Sequence, residues 1–243
     1  MIFVKRQMAR WFKSALGYAS WNSDDDQQRL IPDARVIFDV GANVGQTARS
    51  YRELFPSAEI WSFEPFPESY ETLRRSLADR RFHAVPLGLS DEITTATFNL
   101  GAGSVTNSLL RRETDSGETI QIQTDTVDNF CSEHGISAID ILKVDVEGAE
   151  NRVFKGARRM FSQGAIRSVF VEVYFDPVYE GMPLMWDLHA QLQEAGFCLQ
   201  GLYSLNAGGN GRLSFGNALY LRVQRPAAVP VNPALPTLVS AEV

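Results

Sequence analysis

Two short stretches hold most of the residues able to do chemistry. In FDVGANVGQT an acid, Asp39, precedes glycines at 41 and 45 with Asn43 between them, and the run opens into a helix-like segment. In KVDVEGAE three carboxylates, Asp145, Glu147 and Glu150, gather where a strand-like run meets a helix-like one. Two more acids stand in apolar strand patterns: Glu64 closes EIWSFE and Glu172 interrupts VFVEVY. A glycine turn from strand to helix presents backbone N–H groups to an anionic ligand. Clustered carboxylates remove protons or hold cations. Asp145 and Glu147 are two apart, so extended backbone puts them on one face. Glu150, in a first helical turn, reads first as a cap.

Three ligands compete for the glycine turn. A triphosphate loop needs Gly-Lys-Ser/Thr, and Gly45-Gln46-Thr47 has no lysine. A dinucleotide turn wants a middle glycine, where the backbone approaches a pyrophosphate; that position is Asn43, and Asp39 would repel the diphosphate. S-adenosylmethionine has no phosphate. Its ammonium and sulfonium suit Asp39, its carboxylate suits the helix N–H groups, and Glu64 can accept from both ribose hydroxyls. An NAD-dependent oxidoreductase and a non-catalytic partner protein on the same fold remain the alternatives.

The elements that must position these residues alternate. Strand patterns at RVIFDV, EIWSFE and FHAVPLGL frame helices over 45–55 and 67–78, which argues for a parallel sheet with helices on both faces. Between about 91 and 124 the period switches to two in ITTATFNL and ETIQIQT, so a β-rich insertion is expected after the third strand. Helix TVDNFCSEHG, strand AIDILKVDV, helix AENRVFKGARRMF, strand SVFVEVYF and helix 185–195 follow. The last two strands flank the turn-rich NAGGNGR as an antiparallel hairpin.

Composition sets outer limits. The 243 residues suffice for one full α/β domain, 44% hydrophobic and 21% charged. A net charge of −6 gives no field favouring nucleic acid, and no nucleic-acid partner is expected. Two distant cysteines, no membrane-length apolar run and no secretory pattern lead to the expectation of a cytoplasmic protein. Residues 1–30 are read as an amphipathic helix and a connector, 31–225 as the domain and 226–243 as a flexible Pro-rich tail. Lys5, Arg6, Arg10 and Lys13 lie off the helix's apolar stripe, which allows docking on protein or weak contact with a membrane surface. Nothing in the sequence sets the oligomeric state.

The blocks FDVGANVGQT, FEPFPESYETL, VPLGLSD, TVDNF and IDILKVDVEGAE, and more loosely VFVEVY and GNALYLR, resemble the FkbM-type methyltransferases, a family of class I S-adenosylmethionine-dependent enzymes. The resemblance spans about residues 36 to 223. It implies a Rossmann-like, seven-stranded sheet with one antiparallel strand, and O-methylation of a hydroxyl on a sugar, glycan or secondary metabolite. It assigns Asp39, Gly41, Asn43 and Gly45 to the first cofactor motif, Glu64 to the ribose, and Leu89 and Ser90 to the adenine. Asp145 falls beside the sulfonium, and Asp145, Glu147 and Glu172 become the catalytic candidates, with His189 as an alternative base. A divalent metal on these acids is chemically reasonable, but no spacing demands one. GAGSVTNSLLRR and YFDPVYEGMPLMW are expected to wall the acceptor pocket, Arg111 and Arg112 being available for an anionic acceptor.

Overall fold

The computed structural model describes residues 22–101, 106–112, 117–209 and 211–223. The N-terminal amphipathic helix and the Pro-rich tail of the sequence reading lie outside these residues.

Seven strands form the main sheet: β1 (Val36–Val40), β2 (Glu59–Phe63), β3 (Phe82–Val85), β7 (Ile139–Val144), β8 (Ile166–Tyr174), β9 (Phe197–Ala207) and β10 (Leu213–Arg222). Their order is β3-β2-β1-β7-β8-β10-β9. Neighbours are parallel except at β10, which runs against both β8 and β9. The expected single antiparallel strand is therefore present, one position in from the edge.

The sheet buries both faces, as near-continuous apolar strands require. Phe38, Val40, Leu142, Val144, Val169 and Val171 pack on one side with Phe130, Phe154 and Leu188. These come from helices α4 (Val127–Glu133), α5 (Glu150–Gly156) and α7 (Met185–Glu194). On the other side Ile37, Ile60 and Ile141 lie in register and pack against Ala48 and Tyr51 of helix α2 (Gln46–Leu54). Each such fully buried side chain contributes roughly 1.5–3 kcal/mol. One step along the same face the row becomes Ser62, Asp39 and Lys143, again in register. Apolar layer gives way to charged layer just below the carboxyl ends of the strands.

The insertion is a second sheet of β4 (Gly88–Leu89), β6 (Thr119–Asp125) and β5 (Thr94–Asn99), in that order. Phe98 and Ile122 face inward, while Gln121 and Gln123 bond Thr97 and Thr95 on the open face. That is the two-residue alternation of the sequence.

Several boundaries differ from the sequence reading. FHAVPLGL is two strands, β3 and β4, because Pro86 has no N–H to continue the ladder. Helix α3 is shorter than 67–78, spanning Pro67–Leu73. AENRVFKGARRMF breaks into α5 and α6 (Arg158–Ser162) at Ala157, whose φ of −109° and ψ of 14° are not helical; Gly156 just before it lies so close to the Ser90 carbonyl that a Cβ there would stand 2.0 Å from it. The acidic connector contains helix α1 (Ser23–Leu30), whose amides at Asp24 and Asp25 are capped by the Asn22 side chain. Its buried Gln27 and Asp26 accept from Tyr51 and Tyr203.

Candidate functional site

The turn after β1 gets its shape from its own packing. Gly41, Asn43 and Gly45 all adopt left-handed backbone, with φ of 79°, 46° and 83°. Asparagine tolerates that region, which is why the missing middle glycine does no harm. A Cβ on Gly41 would meet the Asp145 carbonyl oxygen at 1.8 Å, and one on Gly45 would meet Ser76 Oγ at 2.5 Å. The glycines thus bring the turn against the end of β7 and against the segment after α3.

Lys143 fastens this junction. Its ammonium lies 3.0 Å from the Gly41 carbonyl, 3.1 Å from Asp39 Oδ1 and 3.4 Å from Asp145 Oδ2. Ser62 also donates to Asp39, at 3.4 Å. Burial works against the lysine's charge, yet Asp39 and Asp145 hold it protonated above its ordinary range. Burial pushes Asp39 upward against the pull of the same lysine. The three charges leave a net single negative charge, carried toward the cleft by Asp145, the partly exposed member.

Glu64 receives one backbone amide on each oxygen: Asn43 N–H to Oε2 at 2.8 Å and Phe66 N–H to Oε1 at 2.9 Å. Burial raises its carboxyl to about 7, despite those bonds. Glu150 accepts from the Val146 and Gly148 amides, as a loop and helix cap, and is pushed to about 8 by burial. For both carboxyls the folded chain keeps protons that the unfolded chain has released above the ordinary 4.5. Stability is therefore full near pH 4.5 and declines as pH rises through 7 and 8. Each group is expected to remove up to about 1.4 kcal/mol per pH unit within its window. Thermal melts of the ligand-free protein from pH 5 to 8 check this; a midpoint that climbs with pH would contradict it.

Glu147 stands at φ 55°, uncommon for a non-glycine residue, and this backbone turns its carboxyl toward two phenols. Tyr179 donates to its Oε2 at 2.6 Å, and Tyr174 lies 2.9 Å from the same oxygen. The Tyr174 hydroxyl is also 2.9 Å from Glu172 Oε2. Asp145, Glu147 and Glu172 each place a carboxylate oxygen within 4.8 Å of the other two. Burial, and then like charges on Asp145, Glu147 and Glu150, push Glu172 up to about 10. Burial and Asp145 raise Glu147 against the pull of Tyr179 and Tyr174.

A cleft of about 900 Å³, counted with its open mouth, runs over these groups at the carboxyl ends of the strands. Gly41, Asn43, Glu64, Leu89, Asp145, Glu147 and Glu172 all line it, so seven of the sequence candidates converge. Asp39, Gly45 and Ser90 do not. Asp39 is sealed beneath the floor by Lys143, Gly45 packs on Ser76, and the Ser90 hydroxyl turns to Asp91. His189 pairs with Tyr220 on the packed side of α7 and is absent from the lining. The insertion supplies Phe98, Ile122, Asn107 and Leu109 to the wall, and Ser108 ties it to the Glu147 carbonyl at 2.6 Å. Arg112 lies over the Tyr179 ring at 5.9 Å.

Sequence reasoning missed Lys143, Tyr174 and Tyr179. A lysine within the apolar run IDILKV was a signal, since a buried ammonium requires partners. No such signal marked the tyrosines.

The donor set fits S-adenosylmethionine. Leu87, Leu89, Phe98 and Ile122 give the cleft an apolar lining alongside Glu64 and the acids Asp145, Glu147 and Glu172. Asn107 also lines it, and its buried Nδ2 has no hydrogen-bond partner among the described residues. Strand order and site together define a class I S-adenosylmethionine-dependent methyltransferase. The methyltransferase FkbM domain model matches residues 39–199, and the chain belongs to that family. It is 28% identical to the 2-O-methyltransferase NoeI of Sinorhizobium fredii over 166 residues, covering 61% of this chain and 68% of that one. It is 26% identical to the 31-O-demethyl-FK506 methyltransferase FkbM of Streptomyces tacrolimicus, covering 57% and 65%. Among solved structures, an S-adenosylmethionine dependent methyltransferase by name, from Listeria monocytogenes, aligns with a TM-score of 0.50 at 8% identity. The alignment covers 82% of this chain and 97% of that one, a likeness of fold alone. No helix among the described residues is long and apolar enough to cross a membrane.

Proposed function

We propose that the chain methylates a hydroxyl oxygen of a small-molecule or glycan acceptor, with Glu147 as the base. The observation that carries this reading is the position of Glu147. It lines the cleft beside Asp145 and Glu172, buried enough to be basic, and is steered by two phenol donors. The names of the two relatives, both O-methyltransferases or demethyl-O substrates' methyltransferases, support oxygen as the attacked atom.

When bound, S-adenosylmethionine supplies an activated methyl on a sulfonium, so the protein has to position the reactants and dispose of one proton. Glu64 is the residue to hold the ribose hydroxyls, since each of its oxygens retains a lone pair beyond its backbone bond. Asn43 and the N–H groups opening α2 suit the carboxylate of the amino-acid end. Asp145, with the net negative charge shared through Lys143, suits the cationic centre. Leu89 and the insertion's Phe98 and Ile122 exclude water from the adenine side. Glu147 takes the hydroxyl proton as the oxygen attacks. Asn107, from the insertion, lines the same cleft, and Tyr179, from the loop after β8, donates to the base.

The test is calorimetry with S-adenosylmethionine, S-adenosylhomocysteine and NAD. A methyl mass-shift screen of hydroxyl-bearing sugars and polyketide-like alcohols then follows. Glu64→Ala is expected to weaken S-adenosylmethionine binding about 30- to 1000-fold, from two lost charge-assisted contacts of roughly 1.5–3 kcal/mol each that do not add fully. Glu64→Gln should fall between. Because Glu64 also holds the Asn43 and Phe66 amides, a modest drop in melting temperature should accompany the alanine variant. Equal affinity in wild type and Glu64→Ala would sink the pocket; tight NAD binding would revive an oxidoreductase.

A further inference from the structure

The hydroxyl of Tyr174 has one proton and two carboxyl oxygens at 2.9 Å, Glu147 Oε2 and Glu172 Oε2. It can donate to only one of them. At that distance the other contact needs a proton of its own, since a phenol oxygen and a bare carboxylate would repel. Tyr179 already donates to Glu147 Oε2 at 2.6 Å, so Glu147 is the acceptor of both phenols and carries the charge. The additional proton therefore sits on Glu172.

We infer that Glu172 is a proton store for methyl transfer: neutral in the free protein and donating through Tyr174 toward Glu147, it gives up its proton when the sulfonium arrives and regains it with the neutral thioether product. The idea rests on the cleft being the methyl donor's site, as proposed above.

The surroundings favour this balance. Asp145 at the end of β7, Glu147 in the following loop and Glu150 on α5 all oppose a charge on Glu172. Lys143 is committed to Asp39, Asp145 and Gly41, and Arg112 acts on Glu147 and Tyr179 from the insertion. Across the sheet the neighbour of Glu172 on β10 is Asn217, which is uncharged. Glu172 is pushed up to about 10, mainly by burial, in agreement with the proton count.

A ligand with one more positive charge alters that balance, and its neutral product does not. In the store, the Glu172 O–H bond breaks and the proton leaves to solvent as the sulfonium enters. The acceptor's proton, taken by Glu147 in turnover, can then pass by way of the Tyr174 hydroxyl to Glu172. One proton is released overall per methyl transferred, so the balance closes.

The experiment needs no acceptor. The full chain is titrated with S-adenosylmethionine and separately with S-adenosylhomocysteine, near neutral to mildly alkaline pH, in buffers of different ionisation enthalpy. The dependence of heat on buffer counts the protons exchanged. S-adenosylmethionine is expected to release about half a proton or more beyond S-adenosylhomocysteine. Glu172→Gln keeps an N–H donor for Tyr174 and should fold and bind both ligands, with the difference abolished. Equal proton counts in wild type, or an unchanged difference in E172Q, would overturn the store. Infrared spectra of the ligand-free protein read the store by itself. A protonated-carboxyl carbonyl band should be present in wild type and reduced in E172Q, and identical spectra would overturn it whatever binds. Failure of both ligands to bind would instead remove the reading of the cleft.

Discussion

Glu147→Gln is expected to slow turnover about 10²- to 10⁴-fold, the usual consequence of removing a general base, with donor affinity little changed. Glutamine preserves size and can still accept from Tyr174 and Tyr179, so the hydrogen-bonded frame around position 147 should persist. What disappears is the carboxylate that takes the hydroxyl proton. The measurement is the initial rate with donor and acceptor both saturating, using whichever acceptor the mass-shift screen returns. An unchanged turnover number would move the base to Asp145, its neighbour on the same cleft wall. Tyr179→Phe supplies a second handle. Losing the 2.6 Å donor destabilises the charged form of Glu147, so the acidic limb of the kcat/KM profile should shift to higher pH.

The parts of the molecule that the sequence made legible are those with local periods. Glycines at 41 and 45 between an apolar strand and a helix revealed the first crossover, and period-two runs revealed the insertion. Glu64, Asp145, Glu147 and Glu172 were visible because acids at the ends or inside of apolar strands demand an explanation. Helix α1 was overlooked although Asn22 and three acids in its first turn are a proper start signal. It has no broad apolar stripe; its contacts to the domain are polar, through Gln27 and Asp26. Tyr174 and Tyr179 were not legible, because a phenol in an apolar strand or loop declares no destination. Only the left-handed turn at Glu147 and the pairing of β8 with β7 bring their hydroxyls to one carboxylate. Asp39 was seen, but its neighbour Lys143 was not. Its partner is decided by the register of β1 against β7, which sets Lys143 directly beside it and closes the floor above it.

That register makes Lys143→Met the substitution with the largest expected effect on the folded state. Methionine matches the length of the lysine stem but leaves Asp39 without its counter-charge at a fully buried position, and leaves the Gly41 carbonyl without its donor. Breaking a buried pair from one side typically costs about 3–5 kcal/mol. Because the same ammonium joins the glycine turn to Asp145, cofactor affinity should fall together with stability. Adding Asp39→Asn separates the two effects. The neutral amide removes the stranded charge and can bond Ser62, so most of the stability should return. Affinity should not return, since neither side chain then ties Gly41 to the end of β7. Urea unfolding midpoints and S-adenosylmethionine calorimetry on the single and double variants supply both readings. Recovery of stability without recovery of binding is the expected pattern. A single variant as stable as wild type would show that Asp39 is satisfied without the lysine, and full binding by the double variant would show that the clamp on Gly41 does nothing for the cleft.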